Sequence, residues 1–309
     1  MNLKIDAKSV YITRSARRVL LMAALFLCCL LSACGKSEDS ESADADDIYE
    51  ITDAIQDDSP QVLYTMTIID VLQNQYSMDV LADVNTCPYN KALFNVSGSS
   101  ASYDDISYSS RLGIDVSYHQ GEIDWSQVAQ AGYEFVFIRI GYRGYTEGTL
   151  TEDEMYRSYI EGATAAGLDV GVYFFSQAVS EDEAVEEADY VNELLSGYEV
   201  QLPVVFDPEK ILDDTARTDD VSGEQFTENT VAFCDRIKEY GFDTMFYSNI
   251  IWEASVYDMT DLNDIPVWYA DYEAVPQTPY DFEYWQFTEE GEVPGVSTAV
   301  DVDIQLLPK

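Results

Sequence analysis

The run Leu202-Pro-Val-Val-Phe-Asp-Pro-Glu209 is a short apolar segment that ends in two acidic residues. Such a segment predicts a buried strand. Residues two apart in a strand project to the same face, about 6.5 to 7 Å apart at about 3.3 Å per residue, so Asp207 and Glu209 share one face. The strand end therefore presents two carboxylates to one pocket, which is the pairing that acid-catalysed glycoside cleavage needs. In a chain with 58 acidic residues, an acidic loop edge is the alternative interpretation.

On both sides of this segment, apolar strands alternate with helical patterns from residue 111 to residue 309. Apolar residues at helical spacing predict helices at 153–167, 180–197 and 223–241. Ser180 and Glu183 form a capping box at the start of the second helix, and Gly241 ends the third. The predicted strands are 112–117, 135–141, 169–176, 203–209, 244–249, 267–272, 280–288 and 300–305.

Strands separated by helices of this length predict parallel βαβ units. The last three strands follow one another too closely for helical crossovers. Eight strands with five helical crossovers therefore predict a barrel with an irregular closing third. The alternative is a doubly wound open sheet, which normally carries a glycine-rich phosphate loop after its first strand. The sequence at that place, Asp115-Val-Ser-Tyr-His-Gln-Gly, is not such a loop.

The chemistry of a barrel of this kind lies at the carboxyl ends of its strands. Acids together with aromatic residues are typical of a sugar-binding cleft, because aromatic faces stack on pyranose rings while carboxylates and amides bind hydroxyl groups. Barrel core is the alternative for each aromatic residue, and a helix cap or loop end is the alternative for each single aspartate. The candidates at the predicted strand ends are Asp115, Arg139, Tyr142, Gln177, Asp207, Glu209, Tyr247, Trp268, Asp271, Trp285, Gln286 and Asp301.

Residues 1–33 have the pattern of a processing signal. Five basic residues precede or join an apolar run from Val19 to Leu31, which is shorter than the roughly 20 residues of a membrane span. The run ends in Leu31-Ser32-Ala33-Cys34-Gly35, which resembles a bacterial lipobox and implies cleavage before Cys34 and lipidation of that residue. We therefore expect an exported protein, lipid-anchored to the cell membrane and facing the cell wall. An ordinary secretory signal or an uncleaved anchor is the alternative.

Two further segments precede the barrel domain, which we place at residues 106–309. Residues 34–60 predict an acidic linker, because ten acids and one base lie between Lys36 and Asp58 with almost nothing to bury. Residues 61–105 predict a small segment with a β-hairpin and a connector. Two strands alone are marginally stable, so we expect the hairpin to depend on contacts with the barrel.

The composition excludes several classes of function. A formal net charge of −42 opposes binding to nucleic acid and to anionic membrane surfaces. The single histidine, His119, excludes histidine-based metal clusters and weighs against Ser/His/Asp hydrolysis, so we expect neither a metal nor a cofactor. Beyond Cys34 the cysteines are Cys87 and Cys234, too few for a disulfide framework. Their pairing stays open, although the apolar helical face around Cys234 favours a buried thiol.

Seven segments occur in the following order: Asp115-Val-Ser-Tyr-His-Gln-Gly-Glu-Ile-Asp-Trp125, Phe135-Val-Phe-Ile-Arg139, Gly171-Val-Tyr-Phe-Phe175, Leu202-Pro-Val-Val-Phe-Asp-Pro-Glu209, Val267-Trp-Tyr-Ala-Asp-Tyr272, Trp285-Gln-Phe-Thr288 and Val300-Asp-Val-Asp303. Jointly they resemble glycoside hydrolase family 25, the Chalaropsis-type lysozymes or N-acetylmuramidases. The resemblance covers nearly all of 111–309 and implies an α/β protein with a (β/α)5β3 TIM-like barrel, acting without a cofactor. It also implies cleavage of the β-1,4 bond between N-acetylmuramic acid and N-acetylglucosamine in peptidoglycan glycan strands. We expect a monomer.

The resemblance assigns roles to the acids. Glu209 matches the general acid, Asp207 matches the carboxylate beside the reacting 2-acetamido group, and Asp115 and Asp301 match a flanking pair. Neighbouring carboxylates raise the pKa that a proton donor needs. Attack by the acetamide oxygen of the substrate and attack by water with inversion both stay open.

Three positions depart from the family pattern. Pro208 stands where tryptophan is frequent, Phe174 where histidine is frequent, and Asp303 where asparagine is usual. Tyr173 keeps the aromatic residue before that second position and is a further candidate for substrate binding. The alternatives to a muramidase are a non-catalytic glycan-binding lipoprotein and a hydrolase of another acetamido-sugar polymer. A peptidase would need a nucleophile–histidine pair or metal ligands, which the sequence does not offer.

Overall fold

Thirteen strands and five α-helices make up the part of the chain that the computed structural model describes, residues 60–211 and 214–309. The predicted signal and almost all of the predicted acidic linker lie outside these residues. The strands are β1 (Val62–Ile69), β2 (Gln75–Leu81), β3 (Asn95–Ser97), β4 (Ser100–Ser102), β5 (Tyr108–Val116), β6 (Tyr133–Arg143), β7 (Leu150–Glu152), β8 (Asp169–Ser176), β9 (Val204–Pro208), β10 (Thr244–Asn249), β11 (Val267–Ala270), β12 (Tyr284–Gly291) and β13 (Val300–Pro308). The helices are α1 (Trp125–Gln130), α2 (Tyr156–Ala166), α3 (Glu181–Leu194), α4 (Gly223–Glu239) and α5 (Ile250–Ser255).

Eight of the strands close into a barrel. Their order is β5-β13-β12-β11-β10-β9-β8-β6, and a parallel pairing of β5 with β6 completes the circle, while β7 pairs only with β6. Neighbours from β5 to β12 run parallel, and one helix lies between each successive pair up to β11. Strand β13 is antiparallel to both β12 and β5. The predicted closed barrel is confirmed, and the open-sheet alternative is wrong.

The inside of the barrel is filled with large side chains rather than solvent. Glycines provide room for them, since a Cβ on Gly113 would lie 2.3 Å from the Phe135 ring, and one on Gly171 would lie 2.4 Å from the Phe137 ring. This packed interior forms the floor beneath the carboxyl ends of the parallel strands. Its buried members are Phe135, Phe137, Tyr173, Leu202, Val205, Met245, Trp268 and Tyr284.

A second, larger core lies between the outside of the barrel and the surrounding segments. The hairpin formed by β1 and β2 contributes Ile68, Met78 and Val80 to it, each with at most 1 % of its surface exposed. The hydroxyl of Tyr280 accepts a hydrogen bond from the Leu81 amide at 3.1 Å. The hairpin therefore shares its core with the barrel, as the marginal stability of two isolated strands requires.

Several element boundaries differ from the sequence prediction. The strand predicted at 280–288 is observed as Tyr284–Gly291, because Tyr280 forms a bridge to Thr86 ahead of the strand. The helix predicted at 153–167 begins at Tyr156, because the buried Asp153 carboxylate accepts the Met155 amide at 3.0 Å before the helix starts. At the start of α3 the Ser180 hydroxyl accepts the Glu183 amide at 3.4 Å, which is one half of the predicted capping box, while the Glu183 carboxylate accepts the amide of Val179 instead of that of Ser180.

No helix in the described part of the chain is long and apolar enough to cross a membrane. Cys87 and Cys234 are both free thiols. Cys234 lies on α4 and is buried against β10, and this burial raises its thiol pKa to about 12.

Candidate active site

Four acidic side chains meet at one end of the barrel. Asp207 lies near the end of strand β9 at this end of the barrel, and Glu209 is the first residue after the strand. Strands β5 and β13 place Asp115 opposite Asp301 in their ladder. Asp115 and Asp207 are 4 % and 6 % exposed, whereas Glu209 and Asp301 are half-buried. The structure therefore brings together all four acids predicted to be catalytic, with two at the floor and two nearer the solvent.

Burial is the largest effect on the Asp207–Glu209 pair. It raises the pKa of Asp207 well above the ordinary value, and the charge of Glu209 raises it further. Burial likewise raises the pKa of Glu209, with a smaller contribution from the exposed acid Glu289. Two carboxylates this close in a poorly solvated place cannot both ionise easily, so the pair retains a proton above the usual range of a carboxyl group.

The opposite pair behaves in the same way. Burial, followed by the charge of Asp303, raises the pKa of Asp115 well above its ordinary value. Burial, followed by the charge of Asp115, raises the pKa of Asp301 to about 9. This pair therefore also retains a proton above the usual range of a carboxyl group.

Arg139 supplies the positive charge at this end of the barrel. Its guanidinium forms an ion pair with the buried Asp153 at 2.9 Å and lies over the rings of Tyr118 and Tyr142 at 5.0 and 5.4 Å. Its charge acts against the rise in the pKa of Asp207. The candidates Arg139 and Tyr142 thus lie together beside the acids, with Arg139 fixed by its partners.

Gln286 connects the floor acids to two tyrosines. Its Nε2 donates to Asp115 Oδ2 at 2.7 Å, while its Oε1 accepts the hydroxyl of Tyr247 at 2.9 Å and that of Tyr272 at 3.0 Å. These bonds fix the orientation of the Asp115 carboxylate. The candidates Gln286 and Tyr247 are therefore both part of the cleft.

Gln177 lies behind the cleft rather than in it. Its side chain is fully buried, with Nε2 donating to the main-chain oxygen of Glu209 at 2.6 Å and Oε1 accepting the Thr218 hydroxyl at 2.9 Å. The predicted substrate contact is corrected, because this amide holds the main chain that carries Glu209.

Trp268 and Tyr173 belong to the floor. Trp268 is 1 % exposed, stacks on Phe137 at 4.8 Å and donates its Nε1–H to Asp303 Oδ1 at 2.8 Å. Tyr173 is 9 % exposed and meets Trp268 edge-on at 5.9 Å. Trp268 is therefore corrected from a predicted substrate contact to core. Burial, followed by the charge of Asp115, raises the pKa of Tyr173 well above its ordinary value.

Trp285 and Asp271 point away from the cleft. Trp285 alternates with Gln286 along β12, is fully buried in the outer core and packs edge-on against Phe94 at 5.1 Å. Asp271 accepts the amides of Glu273 and Gln277 at 3.1 and 2.8 Å. The predicted substrate contacts of these two residues are corrected, because one is outer core and the other closes a loop.

The sequence prediction missed three residues at this end. Tyr272 and Tyr118 are 37 % and 38 % exposed beside the acids, and each comes two residues after its strand ends. Asp303 is fully buried and lies on the same face of β13 as Asp301. The period of two along a strand was the signal that could have placed Asp303 with the site.

No group of histidine, cysteine or acidic side chains suited to a metal ion is present in the described residues. What the arrangement offers is acid–base chemistry. Carboxyl groups with raised pKa, the guanidinium of Arg139 and exposed tyrosines surround this open end of the packed barrel. Such a site can protonate a leaving oxygen and stabilise a cationic transition state.

Three comparisons with known proteins bear on this site. The autolytic lysozyme of Clostridium acetobutylicum is 28% identical over 193 residues, which cover 62% of this chain and 54% of that protein. Lysozyme M1 of Streptomyces globisporus is 30% identical over 201 residues, which cover 61% of this chain and 65% of that protein. The chain thus spans between about half and two thirds of the length of these relatives.

The crystal structure of the bacterial lysozyme from Streptomyces coelicolor has the same fold. It superposes with a TM-score of 0.53 at 27% identity and covers 62% of this chain and 90% of that one. The family model described as glycosyl hydrolases family 25 matches residues 114–296, a range that contains Asp115, Asp207 and Glu209. That match spans more than half of the chain. The chain therefore belongs to glycosyl hydrolases family 25.

Proposed function

We propose that this protein is a lysozyme, an N-acetylmuramidase that hydrolyses the β-1,4 bond between N-acetylmuramic acid and N-acetylglucosamine in peptidoglycan. The observation that carries the proposal is the half-buried Glu209 beside the buried Asp207 at the acidic end of the barrel. The two lysozyme relatives and the family membership support the substrate class. We describe the fold as a (β/α)5β3 TIM-like barrel, because five strand–helix units precede three further barrel strands.

Glu209 is the general acid in this proposal. Burial raises its pKa, so its carboxyl group carries a proton at a pH at which an ordinary glutamate has lost it. Gln177 fixes its main chain at 2.6 Å, which restricts where the carboxyl can point. The proton passes from Glu209 to the glycosidic oxygen as the bond to the anomeric carbon breaks.

Asp207 faces the positive charge that develops at the anomeric carbon. Its Oδ1 is buried and has no hydrogen-bond partner among the described residues. A buried carboxylate oxygen without a donor is costly, and the N–H of a 2-acetamido group can supply that donor when substrate binds. This pairing favours attack by the acetamide oxygen of the substrate, with inversion by water as the other route.

Mass spectrometry of digested peptidoglycan tests the activity. We expect the parent protein to release fragments with new reducing-end N-acetylmuramic acid, and Glu209→Gln to release at least about 100-fold fewer, since general acid catalysis contributes about 10² to 10⁴ in rate. Glu199→Gln is the matched control, because Glu199 is exposed in the loop before β9 at the opposite end of the barrel.

Intact glycan strands with the parent would contradict the proposal. If the parent then still binds the strands, the barrel is a glycan-binding module. Cleavage of chitin oligomers but not of peptidoglycan would instead make it a hydrolase of another acetamido-sugar polymer. Equal activity of parent and Glu209→Gln would remove Glu209 from the role of acid.

The location proposed for the enzyme is the outer side of the cell membrane. The lipobox-like segment and the acidic linker support lipidation at Cys34, which lies outside the described residues. We expect the parent to incorporate labelled fatty acid and to fractionate with membranes, and Cys34→Ala to incorporate none. A parent protein without fatty-acid label would contradict the lipid anchor and favour an ordinary secretory signal or an uncleaved anchor. Its working partners are peptidoglycan strands and, through the lipid, the membrane.

A further inference from the structure

The hairpin β1–β2 lies outside the residues that the family model matches, yet it contacts the cleft end of the barrel. Its contacts are with the loop between β11 and β12, residues 271–283. This loop leaves the barrel at the carboxyl end of β11, which is the end where the acids meet. A segment without a counterpart in the family match therefore borders the proposed active site.

Gln277 forms the central contact. Its Oε1 accepts the main-chain amide of Ile69 at 2.8 Å, and its Nε2 donates to the main-chain oxygen of Ile69 at 2.9 Å. The main-chain amide of Gln277 donates to Asp271 Oδ2 at 2.8 Å. Its Nε2 also donates to Asp271 Oδ1 at 3.4 Å, so one glutamine joins the end of β1 to the start of the loop by four hydrogen bonds.

Two further contacts hold the same loop. Gln73, in the hairpin turn, donates from Nε2 to Glu273 Oε1 at 2.8 Å. Lys91 donates from Nζ to the main-chain oxygens of Gln277 and Thr278 at 2.8 and 2.9 Å. The loop is therefore fixed by the hairpin turn, by the end of β1 and by the connector that follows the hairpin.

The loop carries Tyr272 between two of its fixed residues. Asp271 binds the amides of Glu273 and Gln277, so Tyr272 sits inside a closed turn. The hydroxyl of Tyr272 reaches Gln286, which in turn orients Asp115. The ring of Tyr272 remains 37 % exposed at the rim of the cleft.

We propose that the hairpin is a positioning element of the active site, with Gln277 as the positioning residue that holds Tyr272 over the acids. The proposal rests on the function proposed above. Tyr272 contacts the sugar ring by stacking, and the hairpin keeps its ring in place before substrate arrives. Preorganising a contact residue in this way improves binding, because less freedom is lost when the substrate binds.

Soluble, uncrosslinked glycan strands and the full chain provide the test. In Gln277→Ala we expect KM to rise about three- to tenfold with kcat changed less than about twofold, because the loss of the side-chain hydrogen bonds to Ile69 and Asp271 loosens a contact made equally in ground and transition states. In a Tyr272→Ala background the same substitution should have no further effect, since the residue being positioned is gone.

Gln201→Ala is the matched control. Gln201 also binds a main-chain amide through its side chain, that of Val170 at 3.1 Å, but at the opposite end of the barrel. It should leave KM at the parent value. Gln277→Met is the second variant in case the alanine protein folds poorly: it keeps the length of the side chain and loses both the acceptor and the donor, so the same rise in KM is expected.

The dissociation constants of the same variants are also measured in a Glu209→Gln background. This measurement requires no turnover. An inactive parent contradicts the proposed function, whereas weaker binding after Gln277→Ala still supports the positioning role. KM and dissociation constants that match those of Gln201→Ala overturn the proposal, as does a Gln277 effect that persists in full without Tyr272. Either result would leave the hairpin as a structural support only.

Discussion

At the scale of single residues, Asp303 is the most unusual feature of the site. It is fully buried, accepts the indole N–H of Trp268 on Oδ1, and has no conventional donor for Oδ2. It interacts with both Asp115 and Asp301, and burial raises its pKa well above the ordinary value. A neutral acid at this place can donate its proton to Asp115, whereas an ionised one would repel it.

Replacing Asp303 with asparagine tests that electrostatic role. The amide keeps an acceptor for Trp268 and a donor for Asp115 but cannot ionise. Because the charge of Asp303 adds to burial in raising the pKa of Asp115, the variant should lower the pKa of Asp115. Asp115 then ionises at lower pH, and its charge raises the pKa of Asp301 and of Asp207. We expect the alkaline limb of kcat/KM against pH to move about half a unit or more toward higher pH.

The companion variant is Asp303→Ala, which removes the same charge and the acceptor for Trp268 as well. It should show the same shift together with lower activity at every pH. Profiles of parent and Asp303→Asn that superimpose would show that Asp303 carries no charge-dependent role in the site.

At the scale of elements, the barrel depends on close approach between β5, β6 and β8. Gly171 lies on the inner face of β8, and a Cβ there would meet the Phe137 ring at 2.4 Å and the Leu202 Cβ at 2.9 Å. Phe137 in turn stacks on Trp268, which holds Asp303. Gly171 therefore supports the floor of the site indirectly: it leaves room for the Phe137 ring, which stacks on the Trp268 indole.

We expect Gly171→Ala to destabilise the protein by about 1 to 3 kcal/mol, because an added methyl group must displace core side chains. The measurement is the free energy of unfolding from urea titration. Gly144→Ala is the control, since a Cβ at Gly144 has no neighbour closer than 3.7 Å. Equal stability of the two variants would mean that the barrel core can expand at Gly171 without strain.

Some elements of this fold were predictable from local patterns and others were not. The strand β9, which contains Asp207, was predictable, because its apolar run and acidic end are both local. The direction in which a side chain points near a strand end, into the barrel or away from it, was not predictable. Trp285 and Gln286 are adjacent, yet Trp285 is outer core and Gln286 contacts Asp115. Tyr272 was also missed, since its place depends on hydrogen bonds to a hairpin two hundred residues away in sequence.

At the scale of the whole molecule, a buried acid links the segments that flank the barrel. Glu253 of α5 is 5 % exposed, accepts the Thr278 hydroxyl at 2.5 Å and lies near Lys91 and Asp271. Burial raises its pKa to about 8. An acid whose pKa is higher in the folded than in the unfolded protein favours folding at low pH, and stability is lost as pH rises from its unfolded pKa toward 8.

Glu253→Gln should remove this loss. Relative to the parent, the variant should gain stability between about pH 5 and pH 8, by at most about 1.4 kcal/mol per pH unit. Urea unfolding at both pH values gives the difference, with Glu199→Gln as an exposed control. If the difference in the free energy of unfolding between variant and parent is the same at both pH values, Glu253 is ionised in the folded protein throughout this range.

The pairing of β5 with β13 has a consequence for timing. Asp115 and Asp301 face each other across this pair, although they come from the first and the last strands of the barrel. Ribosomes make the chain from its amino end, so Asp115 is synthesised well before Asp301. An unfinished polypeptide cannot close the barrel and cannot assemble its acids. The wall-degrading activity proposed for this protein is therefore withheld until synthesis has delivered the closing strand.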